Sequence, residues 1–192
     1  MKMAKKFLAV ALAGVLALSV LTGCGASVKS KDIADALTKM GVKVEQDKDM
    51  DKTAENTLKA IETIIAADSA NKITLDNAVE KVTGKVISQE HIDSNTDAAN
   101  AVQKALGVFT TGEGAEKANV GKQIRVALVE IKNAKKDASL QAAFVKDALV
   151  QAQAGDTTDN KKPVEPGKLG TATTKDGKYM LVVIVNEMKA DA

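Results

Sequence analysis

Aromatic rings are almost missing from this chain of 192 residues, which has no Trp, one Tyr and three Phe. Platforms for sugars and single-stranded nucleic acids rely on aromatic faces for stacking. Tyr179, Phe109 and Phe144 are too few and too scattered to build one. Cysteine occurs once, at Cys24, so no intrachain disulfide is possible and no thiolate cluster can hold a metal. Histidine also occurs once, at His91, which excludes a zinc site built on several imidazoles. Proline is confined to Pro163 and Pro166. The core must therefore be assembled from Ala, Val, Leu and Ile, which allow close helix approach but give little dispersion contact per residue.

What is present begins with the first two dozen residues. Lys2, Lys5 and Lys6 make a basic start, and Phe7 to Leu21 is an uncharged run of Ala, Leu and Val. At 15 residues it is shorter than the ~20 a spanning helix needs. Small residues then lead into Cys24, the layout of an export signal. Leu21-Thr22-Gly23-Cys24 resembles the lipobox of bacterial lipoproteins. That resemblance implies lipidation of Cys24 with a diacylglyceryl group and cleavage just before it. Two acyl chains suffice for stable anchoring where one is marginal. Residues 1–23 then form the cleaved signal, 24–30 a lipidated tether, and 31–192 a single globular domain.

Maturation changes the charge. Of 27 basic residues three lie in the signal, with no acid beside them, so 24 bases face 25 acids afterwards. Bases and acids are interspersed along the chain. A near-neutral domain of this kind has no electrostatic footprint for nucleic acid and no polybasic patch for anionic lipid.

Helical spacing recurs along the mature chain. Ile33, Ala36, Leu37 and Met40 mark a short helix over 32–39 that Gly41 ends, and Val42 to Glu45 alternates as a short strand. Ala54, Leu58, Ile61, Ile64 and Ile65 form the stripe of the best helix, with Asp49 or Asp51 at its N-terminus. Thr74 caps a helix closed by Gly84, Val86-Ile87 is a short strand or buried connector, and Thr96 caps a helix through Leu106. Residues 120–134 fit both periods, and their length favours helix. Asp137 caps a helix over Leu140 to Ala154, and 156–168 is a polar loop. The chain closes with a hairpin: Leu169 to Thr174, a turn with a tight-turn Asp176-Gly177 pair, and Tyr179 to Val185. That last strand is apolar on both faces and so requires cover on both sides. These elements predict an α+β fold, several short helices on a small sheet containing the C-terminal hairpin.

Motifs that carry chemistry are sparse. Asp47-x-Asp49-x-Asp51 has the spacing of the first ligands of a calcium loop, but Lys52 stands where Gly makes the turn and Leu58 where Glu closes the shell. An acidic helix start is the alternative reading. Glu90-His91-x-Asp93 places a possible base beside carboxylates, yet no Gly-x-Ser-x-Gly elbow supplies a nucleophile. Gly112 and Gly114 with Gly121-Lys122 miss the phosphate-loop spacing, and Gln123 replaces the magnesium-binding hydroxyl. No catalytic, cofactor or metal-binding residue is assigned, and Cys24 alone is given a chemical role.

The closing segment from Leu169 through Tyr179 is similar to the final hairpin of the cysteine-rich secretory (CAP, SCP-like) domain. His91 is the single residue available for that family's His and Glu cavity. The function expected is a non-enzymatic lipoprotein, anchored through Cys24 on the extracytoplasmic face of the cell membrane and binding an envelope or extracellular protein or ligand. The alternative is an envelope-remodelling or hydrolytic enzyme, CAP-like in one version, whose carboxylates converge only in the fold. Solute capture for a transporter is disfavoured by size.

Overall fold

The closing strand sets the architecture. The computed structural model describes residues 28–67, 74–76, 102, 104–107, 121–153 and 161–190. The order of elements is α1 (Ser30–Lys39), β1 (Val44–Gln46), α2 (Lys48–Ala67), β2 (Lys122–Glu130), α3 (Ala138–Ala148), β3 (Val150–Gln153), β4 (Lys161–Pro163), β5 (Gly167–Thr173) and β6 (Tyr179–Ala190). Residues 102 and 104–106 are also helical. The signal, Cys24, the Val86-Ile87 pair, the His91 cluster and the glycines at 112 and 114 lie outside the described residues.

The strands form one mixed sheet in the order β1-β5-β6-β2-β3, with β4 also on β6. Among the described strands only β1 with β5 is parallel. β6 is central and runs antiparallel to β2 and β5 along most of its length. Its six residues Met180 to Val185 are all buried. Alternate side chains point to opposite faces, so Leu181, Val183 and Val185 join one apolar cluster while Met180, Val182 and Ile184 join another. The first cluster is closed by Ala54, Leu58, Ile61 and Ile64 of α2 together with Val102 and Leu106. The second is closed by Ile33, Ala34, Ala36 and Leu37 of α1 and by Ala142 and Val145 of α3. The result is α+β, a sheet between two helical layers, with the C-terminal hairpin in the sheet.

Three expectations need correction. Residues 122–130 are strand, not helix. Ile124 and Val126 face the α2 side, Ala127 and Val129 the other. A strand buried on both faces is apolar at almost every position, which is why a helical stripe also fitted it. The helix after Asp137 stops at Ala148 rather than Ala154. Leu149 turns extended, and Val150 to Gln153 pair with β2 as an edge strand, so tertiary pairing overrides the helix propensity of Ala and Gln. Within the loop expected over 156–168, Lys161–Pro163 forms β4 on the far end of β6.

Other expectations hold. α1 and Gly41, the long α2, helical residues up to Leu106 and the closing hairpin are all present, and the short strand expected over Val42 to Glu45 is found shifted to Val44–Gln46. Asp137 caps α3 by accepting from the Leu140 N–H at 2.9 Å. The hairpin turn closes through Gly177 N–H to Thr174 C=O at 2.8 Å, with Gly177 at φ 68°.

Gly170 joins the α2 layer to the sheet. A Cβ at this position would fall on the backbone of Met50 and Asp51 in the first turn of α2. Beside it, Asp51 accepts the Thr171 N–H at 3.0 Å. Backbone meets backbone here, so no rotamer change makes room. Gly170→Ala is expected to cost about 3 kcal/mol or more, with displacement of α2. A urea-denaturation midpoint equal to wild type would remove this contact from the account.

Candidate functional site

The apolar column on the α1/α3 face of the sheet ends abruptly. Along β6 it runs Met180, Val182, Ile184 and then Asn186, which is only 2% exposed. Along β2 it runs Val129, Ala127 and then Arg125. Arg125 is the one arginine of the chain, whose other 26 basic residues are lysines. Its Nη2 donates to Asn186 Oδ1 at 3.1 Å. Asn186 Nδ2 in turn donates to the Val164 carbonyl at 2.9 Å.

The backbone is shaped around this pair. Pro163 pairs with Met188 and Lys168 with Val185, so four residues, 164–167, stand against Asn186 and Glu187. The two extra residues make an irregular, bulge-like connection between β4 and β5, and such irregularities re-aim side chains next to sites. Asn186 fills it, and at Gly167 a Cβ would come within 2.7 Å of the Asn186 amide. The C-terminal ends of both helices on this face lie at the same end of the sheet. The Lys43 carbonyl just past α1 accepts Gly167 N–H at 3.0 Å, and Lys146 of α3 donates to the Met40 carbonyl at 3.0 Å.

Arg125 is half-buried, and burial pushes its guanidinium down from the ordinary value while the charge of Glu165 opposes that shift. Glu165 itself is ion-paired with Lys43 at 2.7 Å. Arg125 Nε is buried without a hydrogen-bond partner. On the neighbouring edge strand, Gln151 stands directly opposite Arg125 and accepts from Gln123 Nε2 at 3.0 Å. The arrangement is a fixed cation flanked by amides, suited to holding a negative group. Sequence reading passed over it, although a lone arginine among lysines, inside an apolar strand, was a readable signal.

The opposite end of the sheet gathers acids. Tyr179 OH donates to Asp76 at 2.7 Å, and this bond, with lesser help from burial, pushes its pKa up to about 12. Glu62 of α2 is pushed up, mainly by burial and next by the charge of Asp176. Asp176 is pushed down by the hydroxyl of Thr174 at 2.7 Å and by the Lys178 N–H. The charge of Asp176 adds to the shift of Glu62, while Asp176 itself is served by groups of its own turn.

The three acids of the 47–51 cluster do separate work. Asp47, not Asp49 or Asp51, caps α2, accepting from the Asp49 and Met50 N–H groups at 2.8 and 3.1 Å. Those bonds, the Met50 one foremost, hold its carboxyl below the usual range. Asp51 is turned to Thr171 N–H and to Gln46 Nε2, and Asp49 is exposed beside Lys52. Among the described residues no group of three or more His, Cys, Asp or Glu is placed to hold a metal.

Comparison with protein-family models, with curated proteins and with solved structures finds no match.

Two outcomes follow from this geometry. Glu62 has a folded pKa above its unfolded value near 4.5. Its contribution to stability is therefore full below that pH and lost as pH rises. Glu62→Gln should raise the melting temperature by a few degrees at most at pH 7, with the gain vanishing at acid pH. An equal gain at both pH values would point to packing instead. Millimolar calcium should leave the melting temperature unchanged, since Asp47 and Asp51 already serve backbone N–H groups; a saturable rise with calcium would show that they converge on a cation.

Proposed function

We propose that this chain is a lipid-anchored lipoprotein on the extracytoplasmic face of the cell membrane, acting as a non-enzymatic binding or interaction module. The observation that carries the reading is Leu21-Thr22-Gly23-Cys24 after a basic start and an apolar run. Lipidated at Cys24, the chain has four residues before Val28, which packs against the α1/α3 cluster. Four extended residues reach at most ~14 Å, so the domain rides close to the bilayer. No helix among the described residues is long and apolar enough to cross a membrane, and the two acyl chains supply the attachment. A carboxylate-based envelope hydrolase is a second reading. It is favoured by Glu62 and Asp176, whose ionisation is driven in opposite directions near Tyr179.

Cys24→Ser removes the acylated sulfur. The variant should move from the membrane fraction to the soluble or secreted fraction, with loss of lipid label from the protein. Recovery of Cys24→Ser in membranes at the wild-type level overturns the anchoring.

A further inference from the structure

We infer that Arg125, with Gln151 beside it, is a recognition point for a carboxylate group on the ligand of this domain. The inference rests on the binding-module reading and narrows the chemistry of what is bound. A guanidinium carries five N–H donors in a planar fork. At Arg125 one N–H on Nη2 is used by Asn186 and the Nε–H is sealed without a partner. Three donors on the two outer nitrogens have no acceptor among the described residues. No carboxylate among them lies within ion-pair distance of Arg125 either; the nearby Glu165 is held by Lys43. Surface cations in this chain are lysines, which keep their charge in water at little cost. A half-buried arginine gives up hydration, and the usual compensation is a bidentate oxyanion.

The charge balance selects the anion. Lys43 is neutralised by Glu165 and Lys122 by Glu187, which leaves the single charge of Arg125 to be met. A monoanion fits that balance, whereas a dianionic phosphate needs a second cation. Gln151, opposite Arg125 on the same face, accepts from Gln123 through its oxygen and keeps its own amide N–H groups for a ligand. Asn186 does not touch the ligand in this arrangement. It is a positioning residue, locked by the Val164 carbonyl and by the absence of a side chain at Gly167, and it fixes the plane of the fork.

The test uses the fact that the chain has one arginine, and hence one Arg Nε–H signal in a proton–nitrogen correlation spectrum. The full Cys24→Ser chain, in mild non-ionic detergent, is titrated with sodium acetate, with chloride and inorganic phosphate in parallel. The expected result is a saturable shift of that signal with acetate, half-complete in the millimolar range, and weaker effects of chloride and phosphate. Asn186→Ala should raise the acetate half-saturation about tenfold, the worth of one hydrogen bond to a charged group. Gln151→Ala, at an exposed position of the edge strand β3, should raise it by a smaller factor without moving the chloride response. A linear, unsaturable shift equal to that of chloride overturns the site. Tighter saturation by phosphate than by acetate overturns its assignment to a carboxylate. Neither result bears on lipidation, which the membrane fractionation reads separately.

Discussion

Everything in this fold follows from a central strand that no single layer can satisfy. Met180 to Val185 is apolar on both sides, and each such side chain gains about 1.5–3 kcal/mol from leaving water. With no tryptophan and almost no other aromatic residue to cover large areas, the chain surrounds β6 with many small contacts. β2 and β5 pair along its two edges, α2 and residues 102–106 cover one face, and α1 and α3 cover the other. Small side chains bring these layers close. At Gly170 the approach reaches backbone on backbone, and Asp51 pins the start of α2 to Thr171 across that contact. The exposed ion pairs around the rim, such as Lys31 with Asp35 at 2.6 Å, are screened by solvent and do not organise the fold.

Much of this could be read from residues, and the part that could not has a physical cause. Amphipathic helices announce themselves through a period that differs from that of a strand. α1 and α2 each bury one face and leave the other in water, so Ile33 to Leu37 and Ala54 to Ile64 were legible. β6 was legible because six consecutive apolar residues bounded by a turn leave few alternatives. β2 was not, because Ile124, Val126 and Leu128 alternate while Val120, Ile124, Leu128 and Ile131 also follow a helical period. Only the need of β6 for a second partner decides between them, and that is a fact of the whole fold. β3 was hidden for a related reason: Val150 to Gln153 becomes strand through pairing with β2, against the local preference of its Ala and Gln residues. Of the residues proposed to function, Cys24 is carried by a contiguous motif, whereas Arg125 and Asn186 are 61 positions apart and meet only when β2 lies beside β6.

The two ends of the sheet differ in chemistry. Toward the hairpin, Tyr179 donates to Asp76, burial raises Glu62, and the Thr174 hydroxyl and Lys178 N–H lower Asp176. Toward the other end, the apolar column of the α1/α3 face gives way to the buried Asn186 and half-buried Arg125, and beyond them the sheet runs out into exposed residues such as Lys189 opposite Lys162. Burying Asn186 and half-burying Arg125 costs stability, since buried polar groups are worth keeping only when satisfied. The chain meets part of that cost with the Val164 carbonyl and leaves the rest open at Nε. Four residues of bulged backbone and a glycine at 167 are spent on holding this one amide. A structural purpose alone would be served by another valine at 186 and a straight continuation from β4 into β5.

The position of the node relative to the chain's entry point gives the arrangement its sense. Ser30, at the start of α1, shares a 2.7 Å hydrogen bond with Thr171 in mid-β5. From there α1 runs back along β5 to the level of Gly167, where β1 begins its pairing. Ten helical residues span about 15 Å, and the five residues from Thr171 back to Gly167 span a similar distance at strand rise. The Arg125 node therefore sits one helix length from the place where Val28 enters the domain. On the anchored reading, the tether meets the domain near the middle of the sheet and the node lies at an end displaced from it. On that reading, a ligand carrying a carboxylate can approach Arg125 without competing with the lipid-bearing segment for the same surface.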